Sequence, residues 1–594
     1  MDHNKWTGPA PALEVRATAH RGDHAGGEGR GAAVRRAWPR VKKVWLEQYP
    51  PGVPHEIDPD AYPSLTALID ERVAQFADRP AFSSFGTRLT YRQFDELAAA
   101  FSVYLRLDLG LTKGDRLALF LPNLLQYPVA MLGALRAGLI VVNVNPQYTP
   151  RELAHQLNDA DVAAIVAWAD VTPTLAAAIA QTNVRHSIVT QTADLLESER
   201  TAAPVAAGLP HAVRFQDALT AGRASARSAG GGVGAVAPPT LHGRDLAFLQ
   251  YTGGTTGPSK GAMLTHRNLV ANVLQNYAAF SPLNQEDQDD IYITALPLYH
   301  IYALTSNCLS CINKGGLNVL ITNPRDLAGF VAELTHWKFT YISGVTTLYN
   351  ALLNTPGFAD LDFSALRVSV AGGMALHTVT AARWQEVTAC VLLEGYGLSE
   401  TSPTLTVNPT NVTEHTGTVG VPIPSTEISI RDDRGHELPT GTPGEICARG
   451  PQVTTGYWRR DDATREVMTH DGFFRTGDVG VIDEKGFVKI VDRKKDMVVV
   501  SGFKVYPNEV EDVAASLEGI LECACIGTPD ERTGEAVTLC VVPKQDRAIT
   551  PDDIRAWCKV HLAAYKVPSR VEFLKELPKS NVGKILRRKL REGV

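Results

Sequence analysis

The sequence predicts an α/β protein: a large N-terminal domain of stacked α/β sheets plus a small β-barrel, followed by a small α+β C-terminal domain. Three observations predict it. Apolar runs alternate with helical patterns from Ser64 to about Thr220, and again through Leu320, Val370 and Leu393. That rhythm implies parallel strands covered on both faces. From Thr416 to Asp483 short β-rich runs sit between Gly, Pro and Asp clusters such as Arg431–Gly435 and Pro439–Gly444, the texture of a small antiparallel barrel. The residues from 492 to 594 mix strands with helices.

In chain order, residues 1–40 are rich in Gly, Ala and Arg and have no hydrophobic period, so they are expected to be disordered. They lack the apolar stretch of a secretory signal. Ordered sequence begins near Val41, and Val41 is expected to be the true start, with residues 1–40 a mis-assigned extension. Arg116–Pro122 and Leu139–Val144 read as buried strands, and Tyr127–Arg136 and Pro150–Leu157 as helices. Ala221–Pro239, with Gly230, Gly231 and Gly232, reads as a loop or linker. The N-terminal domain is expected to span residues 41–491. Beyond the charged run Asp492–Asp496, Val498–Val500 and Val537–Val542 read as strands, and Pro507–Ser516 and Pro551–His561 as helices, giving a C-terminal domain over residues 492–594.

The bulk numbers narrow the class. Hydrophobic content is 44% and charged content 21%, as in soluble globular proteins. A net charge of −6 argues against a surface that tracks nucleic acid. The most apolar stretch, Val162–Ala180, is broken by Asp170 and Pro173, so no spanning helix is expected. The eight cysteines form no disulfide framework. Cys308-x-x-Cys311 has the spacing of half a zinc site or a redox pair, but no second pair matches it, so buried thiols are expected.

The chain is organised around Tyr251–His266, which follows the apolar run Leu246–Leu249. Gly253, Gly254, Gly257 and Gly261 free the backbone to point N–H groups at one centre. Thr252, Thr255, Thr256 and Ser259 add hydroxyls, and Lys260 adds a charge. That inventory suits a polyphosphate. The Walker spacing is not met, and a solvated flexible turn is the alternative.

Three further motifs follow: Glu394–Thr401 (EGYGLSET), Gly472–Asp478 (GFFRTGD) and Pro578–Lys584 (PKSNVGK). Taken singly, each has a bland reading as a strand-to-turn, a hairpin or a basic helix. In this order after the glycine loop, they resemble the adenylate-forming superfamily of acyl-CoA synthetases, adenylation domains and luciferases. Lys42–Pro50, Asn123–Arg151, Ala295–Leu304 and Val491–Asp512 are similar to the bacterial long-chain fatty-acid–CoA ligases of the FadD type. The resemblance runs from about Val41 to the C-terminus.

The resemblance implies a two-step reaction on a fatty acid, ATP and coenzyme A, with Mg²⁺. A carboxylate attacks the α-phosphate and expels pyrophosphate; the CoA thiol then displaces AMP. By position, Lys584 would be the catalytic lysine and His300 would sit beside the acyl carboxylate. Thr252 and Glu400 would hold Mg²⁺, with Gly253, Gly254, Thr255, Thr256, Gly257 and Lys260 closing over the phosphates. Tyr396 and Gly397, with Gly372 and Gly373, would surround adenine. Asp478 would accept both ribose hydroxyls, supported by Arg493. The C-terminal domain would be mobile, swinging about Lys495 to bring Gly502 and Lys504 to the pantetheine tunnel. Tyr302, Leu304, Gly344, Val345 and Thr347 would line the acyl pocket. Leu304 stands where some long-chain members carry a gate tryptophan, and Gly344, Val345 and Thr347 read equally well as core strand.

Neighbouring readings are a medium-chain or aryl acyl-CoA synthetase and a fatty acyl-AMP ligase. From a different class comes a non-catalytic acyl-nucleotide sensor, which the presence of Lys584, Glu400 and Asp478 disfavours. The expected place is the cytoplasm, with reversible contact at the inner face of the cytoplasmic membrane; the basic tail Lys579–Arg591 could aid that contact but reads first as a solvated helix flanking Lys584. Family members are often homodimers. The resemblance implies an acyl-CoA product that would feed β-oxidation or lipid synthesis.

Overall fold

The computed structural model describes residues 42–196, 209, 212–252, 259–284, 289–544, 547–580 and 583–593. The expectation for residues 1–40 lies outside them.

Two large sheets form the body. The first has seven strands in the order Val213–Arg214, His186–Thr190, Ala164–Trp168, Arg116–Phe120, Ile140–Asn143, Leu246–Thr252 and Lys260–Thr265. All neighbours are parallel except the last pair. The second has nine strands, with Ile291–Thr294, Leu317–Leu320, Tyr341–Gly344, Val368–Gly372 and Leu392–Gly397 as its parallel core. The strands are short and buried along their length, as sheets covered on both faces require.

The expected barrel is not closed. Glu427–Arg431, Gly444–Arg449, Phe474–Ile482 and Val488–Arg493 form an open four-stranded antiparallel sheet. Its apolar face, carried by Ile428, Ile430, Ile446 and Ala448, packs on Tyr396, Leu405 and Val419 from the nine-stranded region. A face already covered has no need to curl on itself.

Ala221–Pro239 also departs from expectation, because the helix Phe215–Ser228 runs through its first half. Phe215, Ala218, Leu219, Gly222 and Ala226 are buried at three- and four-residue spacing. Gly222 is a contact point, since a Cβ there would meet the Ala100 carbonyl oxygen at 2.0 Å. Gly222, inside the stretch read as a loop, is what lets this helix lie against Tyr91–Val103.

The C-terminal segment is built as expected. Phe503–Val505, Val498–Val500, Gly534–Pro543, Ile520–Asp530 and Arg570–Phe573 form one sheet, packed against Pro507–Ala515 and Pro551–His561 through Val510, Ala514, Ile554 and Cys558. All eight cysteines are free and buried. Among the described residues no cluster of three or more His, Cys, Asp or Glu could cage a metal, and no helix is long and apolar enough to cross a membrane.

Candidate functional site

A cleft of about 1660 Å³ opens where the strands of the nine-stranded sheet end, bounded on its far side by the C-terminal segment. Ligands of open α/β sheets bind beyond the carboxyl ends of the strands. The four motifs converge there. Lys260, His300, Tyr302, Val345, Gly372 and Gly373 line the cleft. So do Tyr396, Gly397, Glu400, Asp478, Arg493, Lys495 and Lys584.

Where the cleft meets the antiparallel sheet, Asp478 and Arg493 are cross-strand partners. Asp478 is 6% exposed. Its Oδ2 accepts the Tyr396 hydroxyl at 2.7 Å, and its Oδ1 lies 3.5 Å from the Arg493 Nε. The carboxylate is thereby held as an acceptor facing the cleft. Burial, with Asp478 beside it, pushes the Tyr396 phenol well up, so it remains a donor. Gly397 is dictated by packing, since a Cβ would sit 1.9 Å from the Pro403 carbonyl oxygen. Gly372 leaves room for the Tyr302 ring, which a Cβ would meet at 3.0 Å, while the Tyr302 hydroxyl donates to the Val370 carbonyl at 3.1 Å.

The corner at the glycine-rich stretch is partly described. Thr252 ends the Leu246–Thr252 strand opposite Lys260, but Gly253, Gly254, Thr255, Thr256 and Gly257 lie outside the described residues. Glu400 follows the Leu392–Gly397 strand and is 7% exposed. It accepts the Tyr457 hydroxyl at 2.7 Å, and the Lys260 Nζ stands 5.4 Å over the Tyr457 ring. Burial raises the Glu400 carboxyl, with the Tyr457 hydrogen bond opposing it. Sequence reasoning missed Tyr457. Its local signal, Gly456-Tyr457-Trp458, is no different from a barrel turn, and only the fold brings it to Glu400.

Lys584 enters from the C-terminal segment on a tight turn. The Ser580 N–H donates to the Lys584 carbonyl at 2.7 Å, and the Lys584 N–H donates to the Ser580 Oγ at 3.1 Å. Gly583, with φ +79°, takes the left-handed position, and its carbonyl accepts the Thr347 hydroxyl at 3.1 Å. Burial, then Arg493, lower the Lys584 ammonium to about 7, against the pull of Asp478. His300 is lowered to about 4 by burial and by Lys584. Its Nδ1 accepts the Tyr302 N–H at 3.3 Å, so the neutral ring carries its proton on Nε2. Arg587 pairs with Glu511 at 2.8 Å and braces the turn that follows Lys584. Nearby Asp492, raised by burial to about 6, accepts the Asn508 N–H at 3.1 Å. Arg587 and Asp492 carried no motif signal of their own.

Some expected residues stand apart. Leu304 is fully buried in the main core, and Thr347 bonds the Gly583 turn; neither lines the cleft, nor does Gly344 at its strand end. Gly502 and Lys504 are exposed on the hairpin between Val498–Val500 and Phe503–Val505. Ser501 and Gly502, at φ +50° and +84°, make its two-residue turn. Lys495 lies in the short link between Val488–Arg493 and Val498–Val500.

A family profile described as AMP-binding enzyme matches residues 69–458, and one described as AMP-binding enzyme C-terminal domain matches residues 509–584. The sequence is 51% identical over 563 residues to the long-chain-fatty-acid–CoA ligase of Salmonella typhimurium, covering 93% of this chain and 98% of the relative. It is 35% identical over 554 residues to the protein of that name from Bacillus subtilis, with the same coverage of 93% and 98%. Among solved structures, ATP-bound MatB from Rhodopseudomonas palustris matches with a TM-score of 0.76 at 30% identity, over 89% of this chain and 99% of that one. The anthranilate CoA ligase AuaEII in complex with anthranoyl-AMP matches in fold, with a TM-score of 0.80 at 22% identity over 90% and 99%.

Proposed function

The chain belongs to the AMP-binding enzyme family, and from that premise we propose that it is a long-chain-fatty-acid–CoA ligase, converting fatty acid, ATP and CoA to acyl-CoA, AMP and pyrophosphate. One observation carries the chemistry: Lys584, His300, Asp478 and Glu400 face one cleft.

In the first step a carboxylate oxygen bonds to the α-phosphorus and the bond to pyrophosphate breaks. Two anions meet, so positive charge must be in place where negative charge gathers. Lys584 supplies it as a compact ammonium on a flexible stem. His300, neutral at pH 7, offers an Nε2–H to the fatty carboxylate without adding a charge. Asp478 accepts the ribose hydroxyls, and Tyr396 flanks the adenine with the strand end at Gly372 and Gly373. Lys260 serves the outer phosphates.

The corner fits a divalent cation, because Glu400 is a buried carboxylate whose charge a cation would offset. Glu400 and Thr252 would hold Mg²⁺, which supplies Lewis-acid charge to the phosphates when bound. In the second step the CoA sulfur bonds to the acyl carbon and AMP leaves. The residues of the Ser501–Lys504 hairpin lie outside the cleft, so this step uses a second arrangement, reached by turning residues 492–594 about Lys495.

Long acyl chains partition into membranes, and the reading includes reversible contact with an anionic surface. The basic tail supports this weakly, since Lys579, Arg588 and Arg591 already face Glu522, Glu592 and Asp496. Liposome flotation tests it. The homodimer belongs to the same reading and is tested by mass in solution.

The test of function is AMP release against acid chain length, from hexanoate to eicosanoate, with and without CoA. CoA-dependent turnover that peaks at long chains is expected. A peak at short or aromatic acids discards the substrate, and adenylate without CoA turnover moves the chain to the acyl-AMP ligases.

A further inference from the structure

The cleft continues beyond the nucleotide chamber, down one face of the nine-stranded sheet. Val368, Val370 and Gly372 alternate along one strand and share the face that lines it. Tyr292 and Tyr341, register partners stacked at 4.2 Å, extend that wall across the neighbouring strands. The opposite wall is helical, with Ser306, Ser310 and Lys314 following at four-residue spacing through Ala303–Leu309 and Ser310–Lys314. Phe280 adds an aromatic side.

The far end differs in chemistry from the walls. Asp290, Thr340 and Arg367 each stand just before a strand of the parallel core, at the edge opposite the nucleotide. The Asp290 side chain is 8% exposed. It accepts the Lys314 Nζ at 2.5 Å, the Thr340 hydroxyl at 3.0 Å and the Arg367 guanidinium. From Arg367, just before the strand, to Gly373, just after it, is six residue steps, at most about 20 Å at ~3.3 Å per step. That is the reach of an extended long-chain acyl group measured from the carboxylate end.

Building on the ligase reading, we propose that the acyl chain lies along Val368–Gly372 and that the Asp290–Lys314–Arg367 cluster with Thr340 is its stop, setting the longest chain accepted. Each methylene placed against the walls leaves water and gains affinity. A methyl end driven further would separate buried ion pairs while offering no hydrogen bond in return. The preference therefore rises with length and then breaks. Each added methylene improves KM about fourfold until the chain end meets the cluster, and by no more beyond it.

The test is the KM series over even-numbered acids in wild type, V368F and K314M, with melting curves for each. V368F, which fills the deep end of the arm beside the stop, should move the break to shorter acids and lower palmitate against the variant's own octanoate turnover by more than tenfold. K314M, which removes one charge of the stop, should move the break to longer acids. If V368F does not fold, S310F from the opposite wall replaces it. Independently, palmitate carrying a diazirine at its ω carbon, photolysed on wild-type protein with ATP, should label peptides containing Tyr292, Lys314 or Val368. A break that stays put in both variants, or labelling away from these peptides, overturns the proposal while leaving the ligase reading intact. A wild type that turns over no aliphatic acid defeats the ligase reading itself.

Discussion

Lys584 is held at about 7 by burial and by the cations around it, and this has a measurable consequence. Its ammonium is present below that value and lost above it. In free enzyme, kcat/KM for acid-dependent pyrophosphate exchange should therefore fall as pH rises through about 7. K584R, which keeps its charge, should flatten that limb whatever its absolute rate. A wild-type profile that stays level to pH 9 would show that the ammonium is not the group required. Tyr457 gives a second residue-scale prediction. Its hydroxyl orients Glu400 at 2.7 Å, so Y457F should raise the Mg²⁺ requirement of adenylation by about tenfold, with the melting temperature little changed. Melting loss with an unchanged Mg²⁺ requirement would make the tyrosine structural. The residues legible in sequence were those embedded in motifs. Tyr457, Asp492 and Arg587 were not, because burial and partners across the fold, such as Tyr457 on Glu400, define them.

Elements with a strong apolar rhythm were legible. Arg116–Phe120 and Pro551–His561 lie where their patterns place them. The misses have physical causes. Alanine, glycine and arginine in Ala221–Ser228 looked like a linker because small residues carry little hydrophobic pattern, yet small residues are what close helix packing needs. G222V should destabilise the protein by roughly 1–3 kcal/mol or more, read as a lower urea midpoint, because Ala100 cannot retreat without moving its helix. A midpoint unchanged by G222V would mean that the helix contact is dispensable. The barrel was misjudged for a different reason. Strand texture reports which residues face a core, and Ile428 and Ile446 do, but it does not say whether that core is the sheet's own or a neighbour's.

At the scale of the molecule, the C-terminal segment is docked with Lys584 inward. Among the described residues the dock includes polar contacts of Thr347 with Gly583, Asn350 with the Leu521 carbonyl at 3.2 Å, and Lys494 with Asp433 at 2.6 Å. Such polar contacts suit the proposed turn of this segment. Since the native cysteines are all buried, a pair N350C and L521C can be joined selectively by a short reducible crosslinker. The joined protein should retain pyrophosphate exchange and lose CoA-dependent turnover, and reduction should restore it. Full turnover while crosslinked would rule out the second arrangement.

The most direct measurement is the K584A variant in separated half-reactions. The account predicts that acid-dependent pyrophosphate exchange falls by about 10²–10³-fold or more, while conversion of supplied palmitoyl-AMP and CoA to palmitoyl-CoA continues near the wild-type rate. Equal loss in both half-reactions, or exchange that survives, would contradict a lysine that acts in the first step and then withdraws.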